Sequence, residues 1–292
     1  MDMTRNFINA GLVLEGGGLR GVFTSGVLRR LMDEGLWFAS VYGVSMGACN
    51  GANYVASQPE RNRMVNTRFV NDSRYLSWRR LLRGKDLFGM QFIFQTVPRE
   101  IVPFAYDSFR DSPARFWVGV TDCIEGEAVW LEKSDFADSG ESVDTVFQAT
   151  ASLPVISAPV HYAGRIVMDG GIADPIPIRK CLQHGDAKQV LVLTQPAGFV
   201  KQPSKSMWAC RWRHPDLAGM HRLLAHRHEV YNATLALIES MQARGEVFVI
   251  RPETTMGVGR ICRTPKKLYD LYDHGYFMAE SRMQSLRAYL ES

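Results

Sequence analysis

Apolar and polar residues fall into blocks along the chain, and the spacing inside each block predicts the element it forms. Residues 7–14 (FINAGLVL) make a short apolar run of the kind found in a buried strand. The run closes on Glu15 and three consecutive glycines, Gly16, Gly17 and Gly18. From Leu19 to Glu34, Val22, Val27, Leu28 and Leu31 recur at helical spacing until Gly35 stops them. A second short strand, residues 40–44, leads straight into Ser45 and a small-residue helix (MGACNGANYVA). Two successive strand–turn–helix units predict a parallel sheet with helices packed on it.

Residues 60–110 read as several short helices rich in arginine and aromatic residues, with no pronounced strand. Residues 115–122 (RFWVGVTD) and 127–133 read as paired strands joined by a turn at Glu125-Gly126. Residues 143–151 read as a short helix closed ahead of Pro154, and 165–168 as a strand delivering Asp169-Gly170-Gly171. An apolar strand follows at 188–194 (KQVLVLT), then a loop with three prolines at 195–215. A long helix at 217–242, a last strand at 247–250 and a closing helix at 265–290 complete the pattern. The expected class is α/β, a mostly parallel central sheet flanked by helices. We expect one domain over 1–292, with a core at 8–195 that carries the chemistry and a C-terminal helical extension at 196–292 packed on it.

Composition narrows the class. The chain has 292 residues, 46% hydrophobic and 22% charged, a globular balance with enough apolar material for a large core. Its five cysteines are scattered and never form a C-x-x-C pair, which points to free thiols and a reducing compartment. No apolar run reaches the ~20 residues of a spanning helix, and no leader pattern opens the chain, so a cytoplasmic location is expected. The net charge of +4 is unevenly spread. Arg61, Arg63, Arg68, Arg74, Arg79, Arg80, Arg83 and Lys85 crowd one stretch, and 201–227 holds a second together with Trp208 and Trp212. Such segments suit an anionic membrane surface or a phosphate headgroup; a solvated helix face is the alternative. Peripheral membrane association therefore joins the expected properties, a nucleic-acid partner does not, and the sequence sets no oligomeric state.

Candidate chemistry begins at Gly43-Val44-Ser45-Met46-Gly47, a G-x-S-x-G between a strand and a helix. A nucleophile elbow requires this pattern because its turn is sharp, its serine strained and its neighbours closely approached. The following helix points its amino end at the serine, where the Met46 N–H can stabilise an oxyanion. Gly16-Gly17-Gly18-Leu19-Arg20-Gly21, also between strand and helix, makes an anion-binding nest of backbone N–H groups. A dinucleotide fold would place an acid at the end of the second strand, where this chain has Tyr42, Gly43 and Val44. That favours an oxyanion hole, with a purely structural glycine turn as the alternative. Asp169, at a strand end ahead of two glycines, reads alone as a turn residue.

Together GGGLRG, GVSMG and DGG, with the small-residue segment Ala149–Pro154 ahead of the last, resemble the patatin-like phospholipase family over roughly Ala10 to Ile178. The resemblance implies an α/β-hydrolase-related three-layer sandwich and a Ser–Asp dyad, with Ser45 as nucleophile and Asp169 as general base. It places the oxyanion hole on backbone groups of Gly17, Gly18 and Leu19, with Gly16, Arg20 and Met46 in the same candidate set; Arg20 keeps the family's arginine position, where a basic side chain can reinforce the loop or meet a phosphate, and Gly43, Gly47, Gly170 and Gly171 are the motif glycines. It implies a lipid or acyl-ester substrate and a carboxylic-ester hydrolase needing neither metal nor other cofactor. Apolar residues of 88–106 are candidates for an acyl channel or plain core. The seven histidines offer no H-E-x-x-H metal pattern and no obvious triad member, one completing a triad being the minor alternative. The rival function is a non-catalytic lipid- or phosphate-binding protein using the same glycine loop and basic segments.

Overall fold

The structure, a computed structural model, describes residues 6–292; residues 1–5, which the expected domain and the reading of the N-terminus include, lie outside the described residues. In chain order the first elements are β1 (Phe7–Leu14), α1 (Val22–Asp33), β2 (Trp37–Val44), α2 (Met46–Val55), α3 (Arg61–Thr67) and α4 (Trp78–Leu82). A π-helical stretch (Phe92–Ile101) precedes α5 (Tyr106–Asp111), β3 (Arg115–Asp122), β4 (Glu127–Glu132), α6 (Lys133–Phe136) and α7 (Gly140–Thr150). Then come β5 (Val160–Tyr162), β6 (Arg165–Asp169), α8 (Ile178–His184) and β7 (Gln189–Val192). The last are α9 (Met207–Arg213), α10 (Ala218–Ala243), β8 (Val247–Ile250) and α11 (Pro265–Glu291).

The strands form one sheet in the order β5-β6-β3-β2-β1-β7-β8, with β4 also paired to β3. Its centre, β3-β2-β1-β7-β8, is parallel, and β4, β5 and β6 join antiparallel. Because strand side chains alternate between faces, each central strand feeds two cores. Leu12 and Leu14 of β1, Val190 and Val192 of β7, and Phe248 and Ile250 of β8 pack on the side of α1, α2 and α11. Val13, Leu191, Val247 and Val249 face α8 and α10 on the other side. The result is the expected mostly parallel sheet between two helical layers.

Four stretches differ from the expectation. The loop at 195–215 contains α9, which fits between Pro203 and Pro215 but buries Cys210 alone and so leaves little apolar periodicity to read. The short elements β5 and α8 were not anticipated, since three and seven residues carry no usable period. The 127–133 strand stops at Glu132, where Glu132 and Asp135 form a capping box that starts α6.

The C-terminal helix α11 lies against α1 with backbone touching backbone. A methyl carbon placed at Gly26 would lie 2.0 Å from the Tyr272 carbonyl oxygen, and one at Gly275 2.1 Å from that of Phe23. Gly275→Ala is therefore expected to cost about 1–3 kcal/mol through forced separation of the helices. The denaturant midpoint measures it, and an unchanged midpoint would contradict the packing.

Candidate active site

The turn between β2 and α2 holds Ser45 at φ 54° and ψ −131°, a conformation costly for a residue with a side chain. Two close approaches explain its flanking glycines. A methyl at Gly43 would lie 2.6 Å from the Ala48 Cα, and one at Gly47 2.5 Å from the Leu14 carbonyl oxygen. The backbone is held by Thr150, whose Oγ1 accepts the Ser45 N–H at 2.8 Å and donates to the Gly119 carbonyl at 2.6 Å.

Sheet register brings Asp169 to this serine. On β3, Gly119 pairs with Val44 of β2 and Val120 pairs with Asp169 of β6. β4 occupies the other edge of β3, so β2 and β6 run toward each other along one edge and end face to face. The Ser45 Oγ donates to Asp169 Oδ2 at 2.6 Å, and the Gly171 N–H donates to Asp169 Oδ1 at 2.7 Å. The Asp169 N–H is bonded to the Ser152 carbonyl and its own carbonyl to Thr121 Oγ1, which fixes the backbone on both sides. Both dyad side chains are buried. Burial raises the Asp169 pKa above the ordinary carboxylate value, against the lowering effect of its hydrogen bonds and of the charges on Arg227 and Arg260.

The glycine loop lies against the serine: a methyl at Gly16 would sit 3.1 Å from the Ser45 Cβ. Its backbone narrows the expected set of oxyanion donors. The Gly16 N–H is spent on the Pro175 carbonyl and the Leu19 N–H on the Arg260 carbonyl, each at 3.1 Å. The Arg20 N–H lies inside the tight helical turn Gly18–Gly21. This corrects the inclusion of Gly16, Leu19 and Arg20 as donors. Gly17, Gly18 and Met46 donate to no protein acceptor among the described residues, so their N–H groups remain free for a ligand oxygen. Gly18 needs to be glycine, having φ +57° and the Arg260 carbonyl 2.7 Å from where a methyl would stand.

From Ser45 a largely apolar cavity, open at its mouth, runs between α2, α7 and the π-helical stretch. Phe88, Met90, Ile93, Phe94 and Phe104 line it, whereas Phe92 and Val102 belong to the packed core. The 88–106 segment is thus divided between channel and core. Pro98 has no N–H for a regular helical ladder, consistent with the wider winding at this wall. Below Ser45, Asn66 donates to Asn50 Oδ1 at 2.8 Å and to Ser25 Oγ at 2.9 Å, and Asn50 donates to the Gly21 carbonyl at 2.7 Å. That network ties α1, α2 and α3 beneath the elbow.

None of the seven histidines lines the cavity. Asp122 accepts the Ile124 and Glu125 N–H groups as a turn residue. Sequence reasoning gave no role to Thr150, Asn50 or Arg260, and read Arg227 only as the end of a basic stretch suited to an anionic surface or a phosphate headgroup. Thr150 lies in the small-residue segment Ala149–Pro154, which was the available clue; Asn50 and Arg260 have no local marker.

A family model described as patatin-like phospholipase matches residues 12–182, and a second, described as a domain of unknown function (DUF6363), matches residues 217–291. The chain is 26% identical over 247 residues to the uncharacterized protein YjjU of Escherichia coli (strain K12), covering 82% of this chain and 68% of that protein. It is 23% identical over 303 residues to lysophospholipase NTE1 of Kluyveromyces lactis, covering 95% of this chain and 19% of the yeast protein. In three dimensions it is similar to VipD from Legionella pneumophila, with a TM-score of 0.53 at 14% identity, over 94% of this chain and 67% of that one. This last likeness concerns the fold alone.

Proposed function

The chain belongs to the patatin-like phospholipase family, and on that premise we propose that it is a serine-dependent acyl-ester hydrolase working through a Ser45–Asp169 dyad. Membership supports lipid hydrolase activity in general. The observation that carries the finer reading is the 2.6 Å bond from Ser45 Oγ to a buried Asp169 carboxylate. Asp169 removes the hydroxyl proton as Ser45 attacks the ester carbonyl. The oxygen that becomes negative is held by the free N–H groups of Gly17, Gly18 and Met46. Collapse of the tetrahedral adduct expels the alcohol, which takes its proton from Asp169. Water, deprotonated by Asp169, then releases the fatty acid and restores Ser45. The apolar cavity receives the acyl chain, in keeping with the name of the yeast relative, a lysophospholipase.

A non-catalytic lipid- or phosphate-binding role would leave the strained serine and its carboxylate without purpose. Turnover of a series of acyl esters tests the reading. Hydrolysis that rises with chain length supports it, and a folded sample that cleaves no ester of any length contradicts it.

Peripheral contact with an anionic lipid surface belongs to the same proposal. Trp208 and Trp212 are 74% and 80% exposed and share one face of α9, while Trp78 and Leu82 do the same on α4, Leu82 being 87% exposed. Arg213 ties α9 to the chain just after α4 by bonding Asp86 and the Gly84 carbonyl. Exposed Arg79, Arg83, Lys85, Lys205 and Arg211 surround the aromatic tips, the pairing of apolar and basic groups that binds anionic interfaces. The α4 segment is closed by a bridge between Leu76 and Phe88, and Phe88 lines the cavity, so this surface is continuous with the channel wall. Among the described residues no helix is long and apolar enough to cross a membrane. Replacing both Trp208 and Trp212 with Ala is expected to weaken binding to anionic vesicles by about tenfold or more. Cosedimentation measures it, and unchanged binding would place the contact elsewhere.

A further inference from the structure

Away from the dyad, the cavity that opens at Ser45 carries one charged stretch of wall, formed by Arg61 of α3 and Asp144 of α7. Asp144 is buried and engaged: its Oδ2 accepts Arg99 Nε at 3.0 Å and Nη2 at 2.8 Å, and its Oδ1 accepts the Tyr106 hydroxyl at 2.6 Å. Arg61 has no such counterpart. Its Nε donates to the Val102 carbonyl at 3.1 Å and its Nη1 to Asn53 Oδ1 at 2.7 Å, both neutral acceptors. Among the described residues no carboxylate stands within ion-pair distance of Arg61, and its Nη2 donates to no protein acceptor. The guanidinium lies 5.1 Å from the ring centre of Phe104, another residue of the lining. Burial pushes Arg61 down to about 10, which leaves it charged at neutral pH. With Asp144 neutralised by Arg99, this wall holds one positive charge in excess.

Position along α2 sets the depth of that charge. Cys49 and Asn53 follow Ser45 at intervals of four residues and line the cavity with it. At about 1.5 Å per residue, Asn53 and the Arg61 group bonded to it stand roughly 12 Å along the helix from the nucleophile. An extended acyl chain with C–C bonds of ~1.5 Å covers that distance in about nine carbons. A cation facing an apolar cavity with a donor unspent is stabilised by an anion.

We propose that the Arg61 wall is a carboxylate subsite, and that the preferred substrate is an ester whose acyl chain ends in a carboxylate about nine carbons from the scissile bond. The inference rests on the ester-hydrolase reading of Ser45 and Asp169 and names its substrate class, carboxylate-ended acyl esters rather than plain fatty acyl esters. Hydrolysis through the same two steps consumes one water and yields the alcohol and a dicarboxylic acid. A role follows for the first member of the basic stretch at 61–85, which reaches the cavity while Arg63 and Arg68 stay exposed.

The test compares the 4-nitrophenyl monoester of nonanedioic acid with 4-nitrophenyl nonanoate, which differ only in a terminal carboxylate for a methyl. In the unaltered protein kcat/KM for the acid-ended ester is expected to equal or exceed that for the neutral one, whereas a wholly apolar channel disfavours a charged end. Arg61→Met keeps the length of the side chain and removes its charge. The ratio of the two kcat/KM values is expected to fall about ten- to a hundredfold in that variant, the loss of a charge-assisted contact, and to recover in part in Arg61→Lys. A neutral ester preferred about tenfold by the unaltered protein, or a ratio that does not move in Arg61→Met, overturns the subsite. Monoesters of the five-, seven-, nine- and eleven-carbon diacids give an arm that needs no substitution at Arg61. An advantage over the neutral esters that peaks near nine carbons supports the assigned depth, and one independent of length contradicts it. Calorimetry of Ser45→Ala with monomethyl nonanedioate and methyl nonanoate needs no turnover: tighter binding of the first supports the subsite, and equal binding contradicts it. Tighter binding without any preference in turnover would make a free dicarboxylate the ligand and overturn the substrate assignment. Failure to cleave either nitrophenyl ester, with the acid-ended ester still bound, would defeat the hydrolase reading while the subsite stands.

Discussion

Asp169→Asn is expected to lower ester hydrolysis by about four orders of magnitude and, at neutral pH, to make the protein more stable. The loss follows from removing the base, a change that costs about that much where a serine depends on a carboxylate-supported proton transfer. The gain follows from burial. Asp169 has a folded pKa raised above its unfolded value, so the folded chain holds the carboxyl proton more tightly than the unfolded chain does. Its contribution is favourable at low pH and is lost as pH rises through the folded value. At pH 7 the carboxylate is charged and desolvated. Asparagine is neutral and keeps the local bonds, its oxygen accepting the Gly171 N–H and its amide donating to Ser45 Oγ. A rise of about 1 kcal/mol, or about 2 °C in Tm, is expected. In the unaltered enzyme, kcat/KM should fall as pH drops through a value above the ordinary carboxylate range. Ser45→Ala should abolish turnover to a similar extent. Parallel assays of rate and thermal unfolding decide the matter; Asp169→Asn within about tenfold of full activity would remove Asp169 from the mechanism.

Phe109→Ala is expected to cost about 3–5 kcal/mol. Phe109 is fully buried and its ring lies 5.6 Å from Phe104, 5.7 Å from Phe116, 6.2 Å from Phe136 and 6.0 Å from Phe147, centre to centre. It is the hub of an aromatic cluster between β3, α5, α6 and α7, and truncation leaves a void that four rings cannot all fill. Phe104 and Phe147 also line the cavity that opens at Ser45, so on the proposed function their relaxation should shift chain-length preference toward longer or bulkier esters. The denaturant midpoint gives the energy and the ester series the shift. A loss below about 1 kcal/mol would show that the cluster recloses without strain.

Local order made much of this fold and part of its site legible in the sequence. The run from Phe7 through the glycine loop to α2 carries its own punctuation, so β1, the elbow at Ser45 and the helix behind it follow from neighbours in the chain. The helical boundary moved from Leu19 to Val22 because the tight turn at Gly18–Gly21 intervenes. The pairing of Ser45 with Asp169, 124 positions away, depends on the register at Gly119 and Val120, which no local pattern encodes. The resemblance to patatin-like proteins supplied that pairing. The oxyanion donors were over-counted for the same reason, since Pro175 and Arg260 reach the loop from distant parts of the chain. Arg260 sits in ordinary loop sequence, where a basic residue reads as surface until the structure shows what surrounds it.

The central claim is an activated Ser45, and the most direct measurement is labelling with a fluorophosphonate followed by mapping of the modified residue. Such a reagent phosphonylates a serine whose proton a neighbouring base can remove and whose developing charge an oxyanion hole can hold. The account predicts one adduct, at Ser45, that disappears in Asp169→Asn while the variant remains folded. Labelling at another residue, or at Ser45 to the same extent without Asp169, would contradict it.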